Sequence, residues 1–231
     1  MMEILSLETS TKTFSLAVSD HQKILTSRHF KLTQVLSSSI IPAIDGILKK
    51  SGLALKDLDG FAIGLGPGSF TSLRVGLSTV KGLAFVTGKP IVGISSLDVL
   101  AMNAPSMVGA PICVVCDARR NLVYSCLYQR SKNGLERTSE YFLTEIDEIL
   151  NKIKGTVFFV GDGIGLYKEK ILARGPESFS TLLAKEKDWY PHARYLAELA
   201  TPRFLKKEFD AIDKIVPLYL YPEDCQIQRN P

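Results

Sequence analysis

The chain has 231 residues, of which 45% are hydrophobic and 23% are charged, and its formal net charge is +4. This is ordinary globular usage, which excludes a disordered chain, and the basic residues are too scattered to indicate direct nucleic-acid binding. No apolar run is long enough to span a bilayer and no leader peptide is recognisable, so we expect a soluble, cytoplasmic protein without membrane contact.

The first half of the chain predicts three antiparallel strands followed by alternating helices and strands. Between residues 35 and 50 apolar residues recur with helical period, although Pro42 predicts a kink or a late helix start. The predicted strands are 3–8, 13–19, 24–30, 61–65 and 90–94, and the further predicted helices are 72–86 and 95–103.

The second half repeats this order after a Pro- and Gly-containing segment at 104–111. We therefore predict an α/β protein with a first lobe over 1–105 and a second lobe over 106–231, the latter ending in a helix and a loose tail at 222–231. The predicted elements are strands at 112–116, 122–128, 139–143 and 157–160, and helices at 145–154 and 194–205.

Cysteines and histidines give no predicted metal or catalytic centre. Cys113 and Cys116 have C-x-x-C spacing, but they lie in a predicted strand, where residues three apart point to opposite faces. The three histidines are isolated in sequence, and no second ligand pair completes a zinc site. We expect buried structural cysteines and no bound metal.

Two turns could bind a phosphate group. The first strand ends in Glu8 and is followed by Thr9 and Ser10, and a carboxylate beside hydroxyls and backbone N–H groups can hold phosphate with hydrated Mg²⁺. The second turn, GLGPGSFT at 64–71, precedes a predicted helix whose N-terminus would attract an anion. An ordinary hairpin turn and a tight structural turn remain the alternatives.

The helix predicted at 72–86 is apolar over more of its circumference than one sheet requires. One face carries Leu73, Leu77, Val80 and Ala84, and a second face interleaves small residues with Val75, Leu83 and Val86. The second face needs another surface, which is either a partner chain or a neighbouring helix of the same lobe.

Several segments together resemble the TsaB family, whose members take part in making threonylcarbamoyladenosine in tRNA. GPGSFTSLRVG at 66–76 is similar to the family signature GPGSFTGLRVG, and ILSLETS at 4–10 resembles its opening LaLDTS. Supporting similarities occur at 81–84, 93–97, 117–124, 161–163 and 217–220.

The resemblance implies an actin-like (ASKHA) fold with two βββαβα-type lobes, the first forming the partner and dimer interface. It implies a non-catalytic scaffold subunit that supports a TsaD-like catalytic subunit, joined in the complex by a TsaE-like ATPase. Alone, such a chain is expected to form a homodimer, and its contact with tRNA is expected to be indirect or weak. The resemblance implies no cofactor for this chain.

The implied partner interface lies on the first-lobe helices, which agrees with the two-faced helix described above. Its expected residues are Leu36, Ile40, Ile44, Leu48, Leu73, Gly76, Leu77, Val80 and Leu83. The expected vestigial nucleotide-binding residues are Glu8, Thr9, Ser10, Gly66, Gly68 and Ser69. On this basis Leu77→Asp or Gly76→Arg would abolish partner binding with little loss of fold.

The chain departs from the family pattern at two informative positions. Glu8 stands where the family has Asp, and Leu36 stands where many members have His. Both departures weaken a prediction of intrinsic nucleotide turnover. The alternative function is a degenerate actin-fold ATPase or phosphotransferase that uses the two turns; a metalloprotease is disfavoured by the histidine count.

Overall fold

The computed structural model describes residues 2–32, 35–105, 109–132, 134–173 and 180–221. The predicted loose tail at 222–231 lies outside these residues. None of the helices in these ranges is both long and apolar enough to cross a membrane.

The first sheet has five strands in the order β3-β2-β1-β4-β5. The first three pair antiparallel, and β4 and β5 continue the sheet in parallel. Every residue of β1, β2 and β4 is buried, because helices cover both faces of the sheet. The strands are β1 (Ile4–Glu8), β2 (Thr13–Ser19), β3 (Ile24–Lys31), β4 (Gly60–Gly64) and β5 (Ile91–Ile94).

One face of this sheet is covered by α1 (Leu36–Ser51) and α2 (Phe70–Thr87). Of the two outcomes predicted at Pro42, a kink or a late helix start, the late start is wrong, since α1 begins at Leu36 and continues through Pro42. Five buried apolar side chains hold α1 on the sheet, which offsets the ~3 kcal/mol that an internal proline costs. The helix ends at Gly52, whose left-handed φ of 71° lets its N–H reach the carbonyls of the last turn.

The second sheet has the order β11-β10-β6-β7-β8, and β9 also pairs with β7. Its strands are β6 (Ile112–Arg119), β7 (Leu122–Ser131), β8 (Gly134–Arg137), β9 (Phe142–Glu145), β10 (Val157–Val160) and β11 (Thr181–Leu183). The helices α3 (Ser96–Ala101), α4 (Ile146–Lys152) and α5 (Gly163–Ala173) complete the alternation. The first lobe follows the predicted βββαβα pattern, and the second follows it with β8 and β9 together in the place of the third strand. The predicted α/β class is confirmed.

The strand predicted at 139–143 is wrong in position. The strand β7 is ten residues long, so one of its edges pairs with β8 along its second half and with β9 along its first half. Ser139 lies between these two short strands, where its Oγ accepts a hydrogen bond from the N–H of Leu127 at 2.9 Å.

The last helix, α6 (Ala193–Leu205), packs on the first sheet, although the sequence placed it with the second lobe. Its buried side chains Leu196, Ala200 and Phe204 form one apolar cluster with residues of β1, β4 and β5. The Oγ of Ser15 in β2 accepts a hydrogen bond from the N–H of Ala193 at 2.8 Å, which fixes the start of the helix. The lobe boundary between residues 105 and 106 stays a prediction.

Candidate functional site

A cleft with a volume of about 710 Å³ lies between the two lobes. It is lined by the β1–β2 turn, the N-terminus of α2, the first residues of α3, the β6–β7 turn and the segment 218–221. Among the predicted nucleotide-binding residues, Ser10, Gly68 and Ser69 line the cleft, whereas Glu8, Thr9 and Gly66 do not.

The carboxylate of Glu8 is buried and serves the chain's own structure. Its two oxygens accept hydrogen bonds from the N–H of Ser10 at 2.8 Å and from the Oγ of Ser96 at 2.9 Å. Ser96 in turn accepts from the N–H of Gly66 at 3.0 Å. Burial raises the pKa of Glu8. This carboxylate therefore links β1, the glycine-rich turn and α3, and its vestigial nucleotide-binding role stays a prediction.

The other predicted ligand residues connect the β1–β2 turn to α2. The Oγ1 of Thr9 donates to the carbonyl of Ser72 at 3.1 Å, and the N–H of Ser69 donates to the carbonyl of Ser10 at 2.7 Å. Gly76 faces Thr9 so closely that a Cβ there would overlap the threonine hydroxyl. A Cβ at Gly68 would likewise overlap the backbone carbonyl of Ser10, so the GPGSFT signature is required first for the close approach of these two backbone segments.

Sequence reasoning missed most of the charged side chains in the cleft. Lys12, Arg74, Arg119 and Arg120 contribute four cations, and Asp117 and Asp162 contribute two carboxylates. Asp117 pairs with Arg119 at 3.2 Å, and Asp162 accepts a hydrogen bond from the N–H of Asp117 at 3.0 Å. The signal that could have found these residues is positional, since the turns after β1 and β6 occupy equivalent places in two lobes of like topology.

The β6–β7 turn has an unusual backbone. Arg119, Arg120 and Asn121 have φ values of 68°, 51° and 62°, in the left-handed region that disfavours residues with a Cβ. Three such residues in succession carry strain of the kind that clusters at functional sites. The turn presents two arginines to the cleft.

The segment Leu218–Tyr221 crosses from one lobe to the other. In the first lobe, the N–H of Leu218 donates to the carbonyl of Leu65 at 2.8 Å, and the hydroxyl of Tyr219 accepts from the Nε of Arg74 at 3.0 Å. In the second lobe, the hydroxyl of Tyr221 donates to the carbonyl of Ala118 at 2.9 Å. We call this segment the C-terminal strap.

The cysteines and histidines show no metal-binding arrangement within the described residues, which hold no group of three His, Cys, Asp or Glu side chains able to bind a metal. Burial raises the pKa of Cys116, which disfavours a reactive thiolate there. The rings of His29 and His192 lie 4.5 Å apart, and burial, followed by the charges of His29 and Arg194, lowers the pKa of His192 to about 4.

The structure places the nine predicted partner-interface residues largely in the chain's own core. Eight are buried, and Leu83 is partly buried against the same core. These residues face the first sheet because they form the apolar stripes by which α1 and α2 pack on it. Leu77→Asp and Gly76→Arg would consequently damage the fold, contrary to expectation.

The exposed face of α2 carries a different set of residues. Phe85 and Val86 are 82% and 81% exposed, and Gly82 and Ser78 lie on the same side one and two turns earlier, respectively. Nothing lies within 4 Å of the position a Cβ would take at Gly82. We call Ser78, Gly82, Phe85 and Val86 the α2 stripe. On the neighbouring helix α1, Ile41 is 53% exposed.

Comparison with known proteins gives consistent results. The family model for TsaD, tRNA N6-adenosine threonylcarbamoyltransferase, matches residues 32–229. The chain is 31% identical to the tRNA threonylcarbamoyladenosine biosynthesis protein TsaB of Escherichia coli K12, and 32% identical to that of Bacillus subtilis 168. In both cases the match covers 95% of this chain and 94% of the relative. The solved structure of YeaZ from Pseudomonas aeruginosa superposes with a TM-score of 0.81 at 28% identity, covering 95% of this chain and 100% of that chain.

Proposed function

The chain belongs to the TsaB family of tRNA threonylcarbamoyladenosine biosynthesis proteins, and on that premise we propose that it is a non-catalytic scaffold subunit. Its role is to bind and support a TsaD-like catalytic subunit, with a TsaE-like ATPase joining the complex. The observation that carries this proposal is the exposed apolar side chains of the α2 stripe, together with the exposed Ile41 on the neighbouring helix α1.

The α2 stripe supports a protein partner because its apolar side chains are large and exposed. Phe85 and Val86 are consecutive residues near the end of an 18-residue helix. The opposite side of this helix already packs on the sheet. A single exposed apolar residue needs no explanation, but adjacent ones on a helix are typical of docking surfaces. Aromatic residues at such positions often contribute most of the binding energy.

The small residues of the stripe favour a helix as the contacting element. Ser78 and Gly82 leave the backbone of α2 accessible, so a partner helix can pack within about 8–10 Å of its axis. A lasting interface would bury roughly 1,200–2,000 Å² and would draw on α1 as well as α2. In the absence of the partner, the same surface would pair two copies of the chain as a homodimer.

The hydrogen bonds that the carboxylate of Glu8 accepts support the proposal that this chain is non-catalytic. Both of its carboxylate oxygens accept hydrogen bonds from the chain itself, so the acid that could orient a hydrated Mg²⁺ is committed to the fold. Contact with tRNA is then made chiefly by the catalytic subunit, and this chain's contact is indirect or weak.

Reconstitution of threonylcarbamoyl transfer tests this function. The chain would be assayed alone and with the TsaD-like and TsaE-like proteins of the same organism. We expect activity only in the mixture, loss of activity with Val86→Asp, and normal activity with Leu166→Asp, a control at a 61% exposed leucine in α5. ATP hydrolysis by the isolated chain that disappears in Glu8→Gln would instead identify a phosphotransferase.

A further inference from the structure

A second groove, separate from the interlobe cleft, runs along the outer edge of the first sheet. It lies between β3 and α1 and has a volume of about 460 Å³. The stacked rings of Phe14 and Phe30, whose centroids are 4.5 Å apart, contribute aromatic surface to it. Pro42, Ala43 and Gly46 line it from α1, and nothing lies within 4 Å of the position a Cβ would take at Gly46. The groove therefore presents apolar surface and is open on the α1 side.

The strand β3 is an edge strand of the first sheet. It pairs with β2 without a register shift between residues 26 and 31, and it pairs with no other strand in the part of the chain that the structure describes. An edge strand keeps the outward N–H and C=O groups of alternate residues available to a further strand. Because α1 packs on both β2 and β3, a strand added beyond β3 would lie beside α1 and direct alternate side chains into the groove.

The charges around the groove are cationic. Arg28 and Lys31 line it, and neither side chain forms an ion pair among the described residues. The three elements β2, β3 and α1 contain one acidic residue, Asp45, and its carboxylate pairs with Lys49 at 2.7 Å. A bound segment that carries carboxylates would therefore meet a complementary charge.

The positions of the cation and the aromatic ring on β3 define the pattern of a matching segment. Arg28 and Phe30 are two residues apart, so their side chains lie on the same face of the strand, the face on which Phe30 packs against the first-lobe core. In an added strand, a residue opposite Phe30 would place an apolar side chain against the ring. The residue two positions away would place a carboxylate beside Arg28. The groove thus favours an extended segment with acidic and apolar residues on one face.

Charged residues on an edge strand often serve only to prevent pairing with another strand. Here the cations lie beside an apolar groove that such protection does not require, so this edge repels a basic segment and accepts an acidic one. We infer that the β3 edge and its groove bind an extended acidic peptide segment of a partner protein by β-strand addition. No residue of the α2 stripe lines this groove, so the inference does not depend on the scaffold function.

Isothermal titration of the full chain with the heptapeptide TETLTET, acetylated and amidated, tests the inference. The sequence of this probe reads the same in both directions, so it suits a parallel or an antiparallel added strand. It should bind saturably with a Kd below about 1 mM, and TKTLTKT should bind at least tenfold more weakly because its charges are reversed.

Two further peptides test whether the backbone of the probe pairs with β3. Each is TETLTET with N-methyl groups at alternate amides, and the two differ in which alternate set is methylated. Only one edge of an added strand faces β3, so one of these peptides should bind at least tenfold more weakly than the other. Amide hydrogen exchange of β3 should also slow when TETLTET binds.

A charge reversal in the groove tests where the peptide binds. Arg28→Glu should weaken the binding of TETLTET at least tenfold and strengthen the binding of TKTLTKT. Lys56→Glu, the same charge change at an exposed lysine outside the groove, should leave both affinities unchanged. Circular dichroism of each variant distinguishes lost binding from lost folding.

Several results would overturn the inference. These are no binding of TETLTET at millimolar concentration, equal affinities for the acidic and basic peptides, and equal affinities for the two N-methylated peptides. Undiminished binding of TETLTET by a folded Arg28→Glu variant would place the peptide elsewhere. Self-association of the free chain that Arg28→Glu abolishes would assign this edge to a second copy of the chain instead.

Discussion

Among single residues, Glu8 controls how the first-lobe turns are held together, and its ionisation should be visible in stability. Burial raises its pKa above the ordinary value of 4.5, so the folded chain holds this proton more tightly than the unfolded chain does. The free energy of unfolding should therefore fall as pH rises from 4.5 through the folded-state pKa. In Glu8→Gln this contribution to the pH dependence is absent.

Urea denaturation between pH 4.5 and 7 checks this prediction. We expect the stability of Glu8→Gln to rise relative to the wild type as pH increases. Glu169→Gln, at an exposed position on α5, should keep the wild-type pH profile. Parallel profiles for Glu8→Gln and the wild type would mean that Glu8 does not titrate in this range.

His192 should make the free energy of unfolding depend on pH in the direction opposite to that of Glu8. Its pKa is lowered to about 4 from 6.5, so its contribution to stability is present above pH 6.5 and is lost as pH falls toward 4. A charge there would also oppose the dipole of α6, whose N-cap is His192. His192→Asn should reduce the loss of stability between pH 7 and pH 5 by about 1 kcal/mol.

The free energies of unfolding of the wild type and of His192→Asn are measured by urea denaturation at these two pH values. The pH difference is the relevant quantity, because Asn at an N-cap can itself change the absolute stability. His21→Asn, at an exposed turn residue, is the matched control. An unchanged pH difference in His192→Asn would show that the histidine pair does not couple folding to protonation.

Among the elements, α2 has two faces whose substitutions should separate fold from binding. Leu77 is 6% exposed and packs in the first-lobe core, whereas Phe85 is 82% exposed. Leu77→Ala should lower the free energy of unfolding by about 2–4 kcal/mol, and Phe85→Ala by less than about 0.5 kcal/mol. Chemical denaturation of both variants checks this; equal losses would mean that the burial pattern of α2 is wrong.

The C-terminal strap should contribute to stability through its bond between the lobes. Tyr221→Phe removes the hydroxyl that donates to the carbonyl of Ala118, and should cost about 1 kcal/mol. Tyr219→Phe removes a bond to Arg74 at a 45% exposed tyrosine, and should cost less. The comparison is made by urea denaturation, and the reverse order of costs would contradict a linking role for Tyr221.

The elements themselves were largely predictable because apolar periodicity records which face of a strand or helix is buried. For α2 the sequence correctly distinguished two faces, and all four residues of the first face are buried. It could not say which face meets the sheet, and the structure buries the first face, which supplied most of the α2 residues predicted for the partner interface. The exposed Val86 belongs to the second face, whose role in partner binding stays a prediction.

Two features of the site depend on contacts that sequence does not record. The carboxylate of Glu8 accepts a hydrogen bond from Ser96, which is 88 residues away in the sequence. The periodicity of apolar residues carries no information about such pairs. The packing of α6 on the first sheet depends on Ser15, 178 residues from Ala193. The cleft charges come from turns of both lobes, and only the folded chain brings these turns together.

For the whole molecule, the chain presents two surfaces of different chemical character. The cleft between the lobes gathers cations, and the α2 stripe at the outside of the first lobe presents apolar groups. The helix α2 belongs to both, since its N-terminus lines the cleft and its C-terminal turns carry Phe85 and Val86. The proposed scaffold function depends on the second of these surfaces.

The affinity of the chain for the TsaD-like subunit of the same organism, measured by isothermal titration, tests that function most directly. Gly82→Arg places a long charged side chain on the α2 stripe, where it has space in the free chain, so the variant should fold normally and bind at least tenfold more weakly. Gly46→Arg, at an open exposed position on α1, shows how far the surface extends. Wild-type affinity in a folded Gly82→Arg variant would contradict the account.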